Sequence, residues 1–220
     1  VSLAIFDLDN TLISNDSDFL WGQFLVDAGI VDRHYYEQTN HKFYEDYKQG
    51  KLDIVKFLQF SLAPLALHDA EQLYSWRAEF VKTRIKPIVL PAALALVDKH
   101  RQQGDTLLVI TATNRFITTP IVELFGIEHL LATTPEFLHG QYTGKFTDAP
   151  CYQAGKITHL QQWLTQNQAS MEGSWFYSDS HNDLPLLSLV SHPVAVDPDE
   201  TLLAHAQQQN WPVISLRGGD

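Results

Sequence analysis

Leu3-Ala4-Ile5-Phe6-Asp7-Leu8-Asp9-Asn10-Thr11 is the stretch on which the rest of the chain is read. Four apolar residues run without alternation, as in a strand buried on both faces, and Asp7 ends the run abruptly. Such a strand belongs to a parallel sheet covered by helices on both sides. In sheets of that kind ligands bind beyond the carboxyl ends of the strands. The residues just past each apolar run are therefore the ones that carry chemistry.

The same texture returns after residue 87. Pro91 suits a first helical position and Gly104 a stop. Strands are predicted over Thr106–Thr111, Leu130–Thr134, Ser174–Ser178, His192–Val196 and Pro212–Ser215. Helices are predicted over 115–125, 155–167 and 182–190, and Gly140 with Gly144 marks a hairpin within 135–150. Alternation of strand and helix predicts an α/β fold with a doubly wound parallel sheet.

Residues 14–86 interrupt that alternation. Leu73, Trp76 and Phe80 share one helical face, and Phe43, Tyr44 and Tyr47 make a similar stripe. Asp69 with Gln72 resembles a capping box, while Gly50 and Pro64 suit breaks. Three or four short helices are predicted here, inserted after the first strand and placed over the strand ends. The expected division is a catalytic core of 1–13 and 87–220 with a helical cap of 14–86.

Composition narrows the function. The 220 residues carry 15 Lys and Arg against 26 Asp and Glu, a net charge of −11, and 45% are hydrophobic. The chain should fold around one core plus a small insertion. Its acidity argues against nucleic-acid and membrane-surface partners. Cys151 is the single cysteine, so neither a disulfide nor a thiol zinc site is expected. The ten histidines do not cluster at ligand spacing. No apolar run reaches membrane-spanning length and the first residues do not read as a signal peptide, so a cytoplasmic protein is expected, as monomer or homodimer.

Four carboxylates gather at the strand ends: Asp7 and Asp9 after the first strand, Asp179 and Asp183 after Ser174–Ser178. Like charges in a small site raise one another's pKa, and a divalent cation relieves this. Oxygen ligands with retained waters suit Mg²⁺. A carboxylate at the strand tip can attack phosphorus, and its neighbour can act as general acid and then base. Asp183 read alone is equally a turn or cap residue. Thr111, at the end of its strand, offers a hydroxyl, and Lys156 stands at a helix start, where a cation opposes the helix dipole unless an anion holds it.

Asp7-Leu8-Asp9-Asn10-Thr11 matches the DxDxT signature of the haloacid-dehalogenase (HAD) superfamily, and Thr111, Lys156 and Asp179…Asp183 follow in the order of its other motifs. The resemblance covers the whole chain. The insertion looks like a type-1 cap, and ITATN (110–114) with YSDSHNDLPLL (177–187) looks like the bacterial subfamily IB hydrolases, which include histidinol-phosphate phosphatases.

The resemblance implies a phosphatase acting on a small phosphorylated metabolite through an aspartyl-phosphate. Histidinol phosphate or a related phosphorylated amino alcohol is the expected substrate. Asp7 would be nucleophile and metal ligand. Asp9 would be acid/base and lend its backbone carbonyl to Mg²⁺. Thr111 and Lys156 would hold the phosphoryl group, Asp179 would ligate the metal, and Asp183 would support its shell. Phosphoserine phosphatases follow the second motif's serine with glycines, whereas Ala112-Thr113-Asn114 stands here, which disfavours phosphoserine.

Asp16 and Asp18 lie just past the first motif. Either could pair with a substrate ammonium, or simply cap a helix or sit in a solvated loop. Asn114 and Arg115 could touch phosphate or substrate; Arg115 also reads as a surface residue. Trp21, Phe24, Tyr44, Tyr47 and Trp76 could line an aromatic pocket, but such stripes are more often core. Phosphoryl transfer and lipid-phosphate hydrolysis on the same fold remain alternatives. A response-regulator receiver is excluded by length, by the insertion and by the strand that carries Asp7.

Overall fold

The computed structural model describes residues 2–218. Strand β1 (Leu3–Phe6) leads into a turn and then into four helices: α1 (Ser17–Asp27), α2 (Arg33–Lys48), α3 (Ile54–Leu62) and α4 (Ala70–Phe80). Helix α5 (Pro91–Gln102) and β2 (Thr106–Ile110) come next, then α6 (Arg115–Glu123) and β3 (His129–Leu131). A hairpin of β4 (Pro135–Leu138) and β5 (Gln141–Phe146) precedes α7 (Ala154–Asn167) and β6 (Trp175–Ser178). The chain closes with α8 (Leu184–Leu187), β7 (His192–Val196), α9 (Glu200–Gln209) and β8 (Val213–Ile214).

Six strands form one sheet in the order β3-β2-β1-β6-β7-β8, and every pairing in it is parallel. Alternate residues of β1 feed two cores. Ala4 and Phe6 face one that includes Ala93 and Val97 of α5, Phe116 and Ile121 of α6, and much of the insertion. Leu3 and Ile5 face the other, with Leu160 and Trp163 of α7 and Leu202 of α9. That two-sided burial is why β1 is apolar at every position.

The register sets the site. Phe6 pairs with both Val109 and Tyr177, so the segments after β1, β2 and β6 leave the sheet at one edge.

Between β1 and α5 the helices stop and start on local signals. Asp16, Asp32, Asp53 and Asp69 each cap a helix through a side-chain oxygen that accepts a backbone N–H. Pro64 opens a 3₁₀ turn, Ala63–Leu67, after α3. Leu73 and Phe80 are buried and Trp76 packs against the same core. Ile13 pairs with Val89 where the chain leaves and rejoins the sheet's flank. The β4–β5 hairpin touches the insertion, with Gly144 packed on Ala66 and Leu62.

Some predicted elements are shorter. The helix expected over 182–190 is α8 alone, preceded by a 3₁₀ turn at His181–Asp183. Its amides are drawn into turn bonds by Ser180, whose side chain accepts from Asn182 N–H. The strand expected over Leu130–Thr134 begins at His129 and ends at Leu131, because the chain turns there into the hairpin. Among the described residues, no helix is long and apolar enough to cross a membrane.

Candidate active site

Asp7, buried at the tip of β1, accepts a hydrogen bond from Lys156 Nζ at 2.9 Å. The lysine also meets both Asp183 oxygens, at 2.8 and 2.9 Å, and Asp183 accepts from the Ser178 hydroxyl at 2.7 Å. Lys156 is 3% exposed and Asp183 2%. Burial opposes the lysine's charge, but Asp183 and Asp7 outweigh it and raise its pKa above the usual value. This is the anion that justifies a cation in the first turn of α7. Local backbone places it there: a Cβ on Gly155 would come within 2.0 Å of the Pro150 carbonyl oxygen, so only glycine fits. Gln153, just before the helix, sits at φ 47° and ψ −118°. Its amide donates to Asn182 Oδ1 and Tyr152 Oη.

Asp9 points elsewhere. Its Oδ1 accepts the Ser17 N–H at 2.6 Å, and its Oδ2 accepts the Thr113 hydroxyl at 2.8 Å and the Thr111 hydroxyl at 3.4 Å. Thr111 in turn accepts the Thr113 N–H at 3.2 Å. Burial raises the Asp9 pKa against those hydrogen bonds. Burial, reinforced by Asp183 and Asp9 and opposed by Lys156, pushes Asp7 up to about 7. One carboxylate is thus held by a cation, and its neighbour is held by hydroxyls and an amide in a setting that favours a proton.

Asp179 accepts from the Thr11 hydroxyl and returns its own N–H to the Thr11 oxygen, both at 3.2 Å. Burial raises its pKa well above the usual range, and Asp7 and Asp183 add to the rise. Among the described residues no group of three His, Cys, Asp or Glu side chains is arranged to hold a metal. Of the four carboxylates, Asp183 is engaged by Lys156 and Ser178, and Asp9 by Ser17, Thr113 and Thr111. Asp7 and Asp179 remain, and Asp7 adds to the raised pKa of Asp179. Two carboxylates with water fit Mg²⁺, which keeps several waters, and a cation would relieve their repulsion.

A cleft opens over these residues. Asp7, Asp9 and Thr111 line it from the sheet side, Asp16 and Asp18 from the start of α1. Phe43, Tyr44 and Tyr47 of α2 and Phe57 of α3 form its far wall. The aromatic residues of the insertion thus divide: Tyr44 and Tyr47 face the cleft, whereas Trp21, Phe24 and Trp76 are core. Asp16 serves as α1 cap, accepting Phe19 N–H at 2.7 Å, and also lines the cleft. Burial raises its pKa well above the usual range, with Asp9 adding to the rise. The cleft closes on its other side where Asn182 donates to the Tyr47 carbonyl at 3.2 Å and Gly50 packs on His181.

Asn114 and Arg115 stand apart from it, against the expectation that they meet phosphate or substrate. The Asn114 side chain caps α6 by accepting Ile117 N–H, and Arg115 donates to the Leu130 carbonyl at 2.6 Å. The first turn of α6 faces them toward the β3 side. Conversely Thr11, Thr113, Ser178 and Asn182 orient the site, and sequence reading assigned them no role. In the sequence Thr11 stands out only as the last residue of the DxDxT signature, and the others only by lying in the same strand-end segments.

The chain matches the haloacid dehalogenase-like hydrolase family over residues 4–188. It is 47% identical over 220 residues to a histidinol-phosphatase of Neisseria meningitidis serogroup C (strain 8013), across 98% of this chain and 99% of that one. A crystal structure of a protein of unknown function from Bordetella pertussis Tohama I superposes with a TM-score of 0.92 at 39% identity, covering 98% of both chains. A phospho-aspartyl intermediate analogue of phosphoserine phosphatase has the same fold, with a TM-score of 0.69 at 18% identity over 100% of this chain and 94% of that one.

Proposed function

The chain belongs to the haloacid dehalogenase-like hydrolase family, and on that premise we propose that it hydrolyses a small phosphomonoester, histidinol phosphate or a related phosphorylated amino alcohol, through a phosphorylated Asp7. The observation that carries this reading is the divergence of Asp7 and Asp9. Asp7 meets Lys156 at the sheet edge, while Asp9 turns to Ser17 and Thr113 across the same cleft. The Neisseria relative supplies the substrate class. The cleft sets carboxylates and Thr111 against aromatic rings of the insertion, a lining that suits a small phosphorylated metabolite.

In this reading an Asp7 oxygen attacks phosphorus, and Lys156 and Thr111 hold the phosphoryl oxygens. Asp9, whose pKa is raised by burial, gives a proton to the leaving alkoxide; as carboxylate it then takes one from the water that releases phosphate. Mg²⁺, held by Asp7, Asp179 and the Asp9 backbone carbonyl, would supply charge neutralisation at the phosphoryl group. Asp183 keeps Lys156 charged and in place. Residues 14–86 act as a cap that keeps water from the intermediate, and residues 1–13 and 87–220 are the core.

The test is phosphate release from histidinol phosphate, phosphoserine, sugar phosphates and a lysophosphatidate, with Mg²⁺ and with EDTA. The expected result is Mg²⁺-dependent turnover with histidinol phosphate preferred. Turnover undiminished by EDTA would remove the metal, and preference for phosphoserine or the lipid would replace the substrate.

A further inference from the structure

Asp18 lies two residues past the α1 cap and is 7% exposed. Its Oδ1 accepts the hydroxyl of Ser61, from α3, at 3.0 Å. Its Oδ2 is buried and has no hydrogen-bond partner among the described residues, yet the side chain lines the cleft. Buried carboxylate oxygens are rarely left unpaired, since the cost of desolvation is then unrecovered. Among the described residues no Lys, Arg or His pairs with Asp18, and Lys156 is held by Asp7 and Asp183, so the protein offers this oxygen no cation of its own. What it does offer nearby is an aromatic wall: Phe43 meets Phe57 edge to face at 5.5 Å, with Ile54 also lining the cleft. Asp16 differs, because its oxygen is already engaged by Phe19 N–H at the helix start.

We infer that Asp18, oriented by Ser61, accepts a ring N–H of the leaving group and so selects phosphate esters whose alcohol ends in a nitrogen heterocycle. The inference rests on the reading of this cleft as a phosphomonoesterase site and names a specificity residue within it. An aromatic wall alone accepts any flat ring; a single buried acceptor distinguishes a ring that can donate from one that cannot. Asp16, nearer the acid/base carboxylate, is left for an ammonium on the same leaving group.

The experiment compares histidinol with phenylalaninol, two amino alcohols that differ in the ring N–H, as ligands of the full chain by calorimetry. Wild type, Asp18→Leu and Ser61→Ala are measured, with thermal melts as a check on folding. At pH 8 wild type is expected to bind histidinol at least about tenfold tighter, as one buried hydrogen bond predicts. Asp18→Leu should cut that ratio below about threefold, and Ser61→Ala should lower it in the same direction. If Asp18→Leu does not fold, the Ser61→Ala ratio decides. No preference in wild type, or a preference that survives the substitution, overturns the inference. Phosphate release from histidinol phosphate is assayed in parallel: an Asp18-dependent ligand preference without turnover would sink the phosphatase reading and leave the ring receptor standing.

Discussion

Lys156 Nζ lies 2.9 Å from Asp7 Oδ1, although 149 residues separate the two in the chain. The pair is buried, and Asp183 holds the lysine from its other side. Around it Asp9, Asp16 and Asp179 carry raised pKa values chiefly because they are buried. Most of the testable consequences come from that imbalance.

Replacing Asp7 with Asn should remove turnover, by at least about a thousandfold in kcat, because no carboxylate is left to attack phosphorus. The fold should survive, since Lys156 keeps Asp183. Steady-state kinetics alongside a thermal melt checks both halves. Normal turnover in this variant would take the nucleophile role from Asp7.

Lys156→Met should destabilise the protein by about 3–5 kcal/mol near pH 8, where the buried Asp7 and Asp183 lose their shared cation. At pH 5 the loss should be smaller. Asp7, already pushed up to about 7 with the lysine present, rises further without it and takes a proton. Denaturant melts of both proteins at the two pH values measure the difference. An equal loss at both would show that the lysine acts through packing.

In the metal-free protein Asp7 and Asp18 are each pushed up to about 7, chiefly by burial. The unfolded chain releases these protons near pH 4, whereas the folded chain keeps them until about 7. Folded protein therefore binds more protons across that window, and its stability falls as pH rises through it. Mg²⁺ should raise Tm more at pH 8 than at pH 5, where it must displace protons. A Tm rise independent of pH would show that the cation does not bind at Asp7.

Thr113→Val should lower kcat about 10- to 100-fold with little change in KM. It removes the 2.8 Å hydrogen bond that aims Asp9 but touches no other part of the cleft wall as strongly. Thr113→Ser should restore most of the loss. A change confined to KM would instead place Thr113 against the substrate.

Gly50→Ala should impair activity more than Gly29→Ala. Both glycines have positive φ, 67° and 70°, so the backbone strain is alike. A Cβ at Gly50 would come within 2.8 Å of His181 Nε2, whereas at Gly29 it meets nothing within 4 Å. Kinetics of the two variants separates the seam between insertion and core from strain alone. Equal activity would show that this seam does not shape the cleft.

What was legible beforehand was local. An unbroken apolar run ending in Asp7 declares a strand buried on both faces and a charged residue at its tip, because the side-chain period and the cost of burying charge are properties of a short segment. The same logic found Thr111 and Asp179 at neighbouring tips, which the parallel register then aligned. Three or four helices in the insertion were legible from its apolar stripes and from Asp69 with Gln72, and Asp69 does cap α4. Tertiary structure decided the rest. Asn114 and Arg115 turned away because the first turn of α6 points them at Ile117 N–H and the Leu130 carbonyl. Asp183 became the lysine's anchor through a contact made across 27 residues. Tyr47 came to the cleft while Trp21 went to the core, although both are aromatic residues on helices of the insertion. Periodicity states which face of a helix is apolar, and it leaves open whether that face meets the core or a cleft. Only the packing of the insertion against the sheet edge chooses between them.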